Sequence, residues 1–320
     1  MGFNNEEIFY NTTQVAKILK VSRRTVYNWI NEKEIPYYRQ KNGRYRIPKS
    51  AIDKKLSEIK EKSKDKIREI ILEIIYFKKV LYLREIQINL EDLFYQEKVT
   101  EMLDILVEEE EINTHFDGNR WYFPKEIELD EVKDIIEYKR DLMETYINHP
   151  KVYRRRGVIY DDYSEMLVED AFIKNDYKVV AKNTQYFNGK VYDVDAKIKP
   201  GRKRDLDYIC YVKEKEYYLG VQIKNRLEYP KMNDVKLLLD LCHVLELIPM
   251  LITRISHPRI YDVFKPIKGE VIQFKRYFKQ PPFPRDKYKQ IENDLGIPIG
   301  VYKWVPDFLI NQIKRKVENI

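Results

Sequence analysis

The stretch YYLGVQIKNR, residues 217–226, poses a chemical question. Val221 and Ile223 alternate with Gln222 and Lys224 in what reads as a short strand, so the amide and the ammonium share one face. On a half-buried strand that face can simply meet water. The other reading is two parts of a site that handles phosphate and metal. Asp207, fifteen residues before Gln222, stands in the apolar run RDLDYICYV, where an unpaired carboxylate is costly. Phosphodiester hydrolysis needs charge neutralised on a phosphorane-like transition state and a hydroxide near neutral pH. A hard cation such as Mg²⁺ supplies both, and it is held by oxygen ligands from one or two carboxylates.

Such side chains need elements to hold them. From about residue 151 the pattern is a helix followed by strands. YSEMLVEDAFIKNDYKVV predicts an amphipathic helix through Met166, Leu167, Ala171 and Phe172, then a strand at Tyr177–Ala181. VYDVDAKI, RDLDYICYV and YYLGVQIK predict strands, NDVKLLLDLCHVLEL a helix and IPMLIT a buried strand, together an α/β sheet.

In this order the chain resembles the PD-(D/E)XK nuclease superfamily over residues 155–275. There a helix carries Glu, one strand carries Asp and the next carries (Asp/Glu/Gln)-x-Lys. The resemblance implies a restriction-endonuclease-like domain with a central mixed sheet and a site of Glu165, Asp207, Gln222 and Lys224. It implies Mg²⁺ (or Mn²⁺) on Asp207, the Gln222 side-chain oxygen and the Ile223 carbonyl, with Glu165 holding a ligand water or a second metal. Lys224 would polarise the attacking water or stabilise charge on phosphate. Glu169 competes with Glu165, and Asp193 and Asp195 compete with Asp207 at a longer spacing to Lys224. Two residues depart from the pattern. Leu206 replaces the proline, and Gln222 replaces the acidic residue, as in Mrr-type restriction nucleases, which removes one negative ligand. Asp176-Tyr177 stand where archaeal Holliday-junction resolvases usually show a Gly-aromatic pair.

At the other end, NTTQVAKILKVSRRTVYNWINEKEIPYYRQKNGRYRIPKSAIDKKL predicts two short helices around a tight turn. Thr12 or Thr13 is placed to cap the first and Ser22 the second, Arg23–Asn31. Val26, Trp29 and Ile30 face inward, and Arg23, Arg24, Thr25, Tyr27 and Asn28 are left outside. A hairpin follows around Asn42-Gly43 with Arg39, Lys41, Arg44 and Arg46 on its arms, and Ser50 is placed to cap a further helix. These residues resemble the MerR/excisionase-type helix-turn-helix, with its AxxLxVSxxTVxxW core and wing. That implies double-stranded DNA as partner, the cations on phosphates and Arg23, Arg24, Tyr27 and Asn28 near base edges.

Charge agrees with that division. The chain of 320 residues carries +7, and residues 1–57 alone hold twelve Lys/Arg against five Asp/Glu. Residues 85–113 hold ten acidic residues and one lysine, a segment that phosphate would repel. Helices there, followed by a hairpin at Asp117-Gly118, predict a winged-helix spacer or dimerisation module. Cys210 and Cys242 lie in apolar runs and read as reduced core thiols, and the four histidines lack zinc spacing. No signal peptide or membrane span is legible.

The expected architecture is multidomain α+β: a helix-turn-helix at 1–57, a winged-helix spacer at 58–125, a connecting helix at 126–150 and a nuclease-like domain at 151–320. The expected activity is metal-dependent DNA cleavage in restriction or mobile-element defence, in a cytoplasmic, nucleoid-associated protein acting as a possible homodimer. A DNA-binding regulator with an inactive nuclease domain, or a structure-selective repair or resolvase nuclease, are the alternatives.

Overall fold

In the computed structural model, residues 8–19, 21–40, 42–147, 153–155, 158–160, 162–192, 205–281 and 283–320 are described. A short strand β1 (Phe9–Tyr10) leads into α1 (Thr12–Leu19) and α2 (Arg23–Asn31). Neither threonine caps α1. Asn11 Oδ1 accepts from the Gln14 N–H and Gln14 Oε1 accepts from the Asn11 N–H, both at 2.9 Å, the reciprocal pairing of a capping box. Ser22 caps α2 as expected, its Oγ accepting from the Thr25 N–H at 3.0 Å. Strands β2 (Tyr38–Arg39) and β3 (Tyr45–Pro48) form a hairpin, with Gly43 at φ +80° in its turn. Val15, Leu19, Val26, Ile30, Ile47 and Ile52 make the core of this unit. Trp29 is only half-buried, and Lys55 Nζ lies over its ring at 5.0 Å.

The next helix, α3 (Lys49–Lys78), begins straight after Pro48, whose extended backbone ends β3, so Ser50 lies inside the first turn instead of capping it. α3 is continuous for 30 residues, and the expected boundary after residue 57 falls within it. Its first turns pack through Ala51 and Ile52 on the N-terminal core, and its last through Ile67, Ile71 and Ile75 on a second. Residues 61–66 between them are exposed on all sides, as in a helix bridging two units through solvent.

That second core joins β4 (Leu81–Tyr82), α4 (Leu83–Asn89), α5 (Gln96–Glu108), β5 (Ile112–Phe116) and β6 (Arg120–Pro124), with strand order β4-β6-β5. Gly118, at φ +99°, makes the β5–β6 turn. α6 (Leu129–Ile147) lies within the 126–150 stretch where the sequence predicts a helix. A short hairpin, β7 (Tyr153–Arg155) and β8 (Val158–Tyr160), precedes α7 (Tyr163–Lys174).

After α7 come β9 (Lys178–Thr184), the small pair β10 (Tyr186–Phe187) and β11 (Lys190–Val191), β12 (Leu206–Val212) and β13 (Tyr217–Lys224). Then follow α8 (Met232–Leu245), β14 (Ile248–Thr253), α9 (Pro258–Phe264) and β15 (Glu270–Gln273). The chain ends with β16 (Tyr277–Lys279), α10 (Arg285–Leu295), β17 (Ile299–Val301) and α11 (Asp307–Glu318). One five-stranded sheet runs β15-β14-β13-β12-β9 and is mixed: β9, β12 and β13 pair antiparallel, β13, β14 and β15 parallel. α7 and α11 cover one face, packing on Tyr208, Cys210, Leu219, Val221 and Ile223. α8 covers the other and comes so close that a Cβ on Gly220 would collide with Cys242 Sγ.

Two expectations change here. α7 is not amphipathic: residues 163–169 are all buried, Glu165 and Glu169 among them. The middle unit is also more than a spacer. Leu227, Phe283, Ile291 and Ile299 from the C-terminal half share a core with Tyr82, Trp121, Val132 and Leu142. Part of its acidity meets cations across that junction: Glu91 takes both ends of the Arg254 guanidinium at 2.9 and 2.7 Å, and Asp92 takes Lys275 at 3.0 Å.

Candidate nucleic-acid interface and phosphate site

Helix α2 presents Arg23, Arg24 and Asn28 to solvent, with Thr25 and Tyr27 half-buried. Thr25 is occupied by the cap, its Oγ1 lying 2.8 Å from Ser22 Oγ, which makes it a support for the helix end. Arg23 Nη2 lies 3.5 Å from the Tyr27 hydroxyl, and hydrogen bonds from Thr12 and then Arg23 draw that phenol's pKa below its ordinary value. Tyr27 and Tyr37 both meet Tyr45 edge-on, at 5.9 and 5.1 Å between ring centres, so the hairpin is braced against α2. Arg39 lies over Tyr45, Arg44 is exposed and Arg46 is tied to Gln40 at 3.3 Å. Lys41 lies outside the described residues.

In the C-terminal half, the backbone ladder between β12 and β13 runs out at Tyr208↔Val221. One step further, the Asp207 side chain does what the next strand carbonyl would have done. Its Oδ2 accepts from the Ile223 N–H at 2.5 Å and from Gln222 Nε2 at 2.6 Å. Burial pushes the Asp207 carboxyl up to about 6, against the nearby Lys224 charge and those two donors, which favour ionisation; the Asp205 charge pushes the same way as burial. Among the described residues Lys224 has no ion-pair partner. The Lys224 carbonyl is spent on β14, accepting from the Arg254 N–H and Thr253 Oγ1 at 3.1 Å each. Backbone groups alternate along a strand, so the Ile223 carbonyl points with its N–H to the Asp207 edge.

The site therefore gathers Asp207, Gln222 and the Ile223 backbone, with Lys224 next to them. Glu165 is held differently. It belongs to α7, on the face with Val221 and Ile223, while Gln222 and Lys224 project from the other face. Glu169 is engaged with Lys182 at 2.7 Å. Asp193 and Asp195 lie outside the described residues, as does the whole of the basic stretch KIKPGRKR, 197–204. In the other basic segment, 274–289, Lys275 and Arg276 are paired with Asp92 and Glu292, and Lys279 is buried over the Tyr277 ring at 4.6 Å.

A divalent cation is tested by the donors on hand. Asp207 and the Ile223 carbonyl offer hard oxygens at one edge, a fit in type for Mg²⁺ or Mn²⁺. Gln222 presents its nitrogen to Asp207, and turning the amide over would offer its oxygen instead. Among the described residues no three His, Cys, Asp or Glu side chains come together as a metal-binding group.

Sequence reasoning passed over Asn225 and Asp162. Asn225 follows Lys224 at the position where alternation with Val221 and Ile223 calls for an apolar side chain, and that mismatch was its signal.

Comparison with known proteins decides one point. Residues 9–58 match the family of the helix-turn-helix domain. That module points to DNA as the partner of the first unit, where α2 lies exposed beside its hairpin. No curated protein matches the chain, and no solved structure does. Among the described residues no helix is long and apolar enough to cross a membrane.

Proposed function

We propose that the protein is a metal-dependent DNA endonuclease of the PD-(D/E)XK kind, in which a MerR-like helix-turn-helix and wing deliver a phosphate-hydrolysing site to duplex DNA. One observation carries this reading: Asp207, Gln222 and Lys224 converge at the edge where the β12–β13 ladder ends, in a chain that begins with a helix-turn-helix. Mg²⁺ or Mn²⁺, when bound, neutralises phosphate charge and lowers the pKa of a water. Asp207 and the Ile223 carbonyl would hold it, and the Gln222 amide oxygen would be a further donor with that amide turned over. The Lys224 ammonium donates to the phosphate oxygen on which charge grows. Glu165, carried by α7, would order a water in this reading. The cations of α2 and the hairpin, Arg23, Arg24, Arg39 and Arg44 among them, grip the backbone, so affinity falls steeply with salt. One such centre cuts one strand, and cleavage of both strands calls for two copies.

The regulator reading draws on a specific observation as well. Gln222 contributes no charge, and the described residues hold no cluster of three acidic, histidine or cysteine ligands. Supercoiled plasmid with Mg²⁺ or Mn²⁺ separates the two readings. Nicking that is lost in Asp207→Ala and Lys224→Ala supports the nuclease. Intact plasmid together with tight, salt-sensitive binding supports the regulator.

A further inference from the structure

Behind the strand end that carries Lys224 lies a second polar cluster, buried and facing α7. Asn225 is 7% exposed, Ser164 0% and Lys279 4%. The oxygen and both hydrogens of the Asn225 amide are engaged. Its Oδ1 accepts from the Phe278 N–H at 3.0 Å and its Nδ2 donates to the Phe278 carbonyl at 3.0 Å, so the side chain pairs with β16 as a neighbouring strand would. The remaining Nδ2 hydrogen goes to Asp162 Oδ1, also at 3.0 Å.

Asp162 is the N-cap of α7. The same Oδ1 accepts from the Ser164 N–H at 2.7 Å and the Ser164 hydroxyl at 2.5 Å. Desolvation works against this carboxylate's charge, and Ser164, Asn225 and the Lys279 ammonium work for it. Glu165 is three residues on, its N–H bonded to the Asp162 carbonyl at 3.1 Å. One amide therefore ties the residue after Lys224 to the residue that starts the helix of Glu165.

We propose that Asn225 is a positioning residue: through Asp162 it sets where α7, and with it Glu165, stands against the strand end of Lys224. This rests on the nuclease reading of the same site. Neither Asn225 nor Asp162 touches the reacting atoms; each acts by fixing the spacing between groups that do. Misplacing a reacting group by about 1 Å costs on the order of 100-fold in rate. A buried amide whose three hydrogen bonds all end on other elements is suited to prevent that shift.

The test uses the full chain and four variants, Asn225→Ala, Asp162→Ala, Asp162→Asn and the double alanine. Nicking of supercoiled plasmid gives kcat, KM and the Mn²⁺ half-saturation, and thermal unfolding with and without Mn²⁺ gives a binding readout independent of turnover. The expected result for Asn225→Ala is a kcat about 10- to 100-fold lower, with KM for plasmid unchanged and a smaller Mn²⁺-dependent rise in Tm. Asp162→Asn keeps an acceptor oxygen for Asn225 and stays close to wild type, whereas Asp162→Ala falls with Asn225→Ala. The double alanine is no slower than the slower single variant, because both break one connection. If Asn225→Ala does not fold, the contrast between Asp162→Ala and Asp162→Asn decides between the two outcomes. Folded alanine variants with wild-type kcat and Mn²⁺ response, or losses that multiply, overturn the positioning role and leave the nuclease reading standing. A wild type that neither nicks DNA nor responds to Mn²⁺ overturns both.

Discussion

Asp207 is held by two donors on one oxygen and still carries a carboxyl pushed up to about 6. Burial therefore outweighs the help it receives. The folded state binds the Asp207 proton more tightly than the unfolded chain, whose carboxyl has its ordinary value of 3.8. Stability from this group is present in acid and is lost as pH rises from about 4 to 6. Asp207→Asn, which keeps an acceptor for the Ile223 N–H, should remove that loss. Thermal or urea unfolding at pH 8 should find the variant about 1–2 kcal/mol more stable than wild type, with the difference vanishing near pH 4; two pKa units correspond to about 3 kcal/mol, discounted for partial exposure. Equal pH profiles would mean that the carboxylate is better solvated than its surroundings indicate. Any Mn²⁺-dependent rise in Tm should weaken below pH 6, where the ligand is protonated.

At the scale of elements, short-range chemistry sets the helix ends. Ser22 supplies the side-chain acceptor in the α2 cap, and its hydroxyl also steadies Thr25. Ser22→Ala should cost about 1 kcal/mol in the denaturant unfolding of the N-terminal unit. It should also weaken DNA binding without altering its salt slope, because no phosphate contact is removed. The turn signals Asn42-Gly43 and Asp117-Gly118 were legible because only glycine takes the positive φ those hairpins need at no steric cost. Asp176 adopts φ +60° at the α7–β9 turn, where the resolvase resemblance carries a glycine. Other ends were not legible. Asn11 captured α1 through a reciprocal bond with Gln14, and Pro48 ended β3 two residues before Ser50, so the helix had begun before Ser50 could cap. Several residues there have equivalent local chemistry, and strand geometry chose among them.

At the scale of the molecule, the middle unit is bolted to the C-terminal half at the strand ends that carry the site. Arg254 is 0% exposed. Besides its two bonds to Glu91, it donates to the Arg226 and Leu227 carbonyls at 3.1 and 2.8 Å, just beyond Lys224. Removing one partner of such a pair leaves a buried charge unmatched, at about 3–5 kcal/mol. Glu91→Ala and Arg254→Ala should each lower unfolding stability by that order. Replacing both by apolar residues, Glu91→Leu with Arg254→Met, should recover much of the loss. A double replacement as unstable as the sum of the singles would argue that the carbonyl contacts of Arg254, not its charge pairing, hold the junction.

What the sequence determined by itself was local: alternation that puts Gln222 and Lys224 on one strand face, helical spacing in the first two helices, glycines in the hairpin turns, and the excess of positive charge in the first 57 residues. These depend on neighbours a few residues apart, so a linear reading captures them. Only the tertiary structure decided that Glu165 is interior, that Glu91 meets Arg254 across 163 positions, and that Asn225 reaches an acid 63 residues before it. Arg254 and Glu91 look like ordinary surface charges in the chain. Burial is a property of what packs over a residue, and no local pattern carries it.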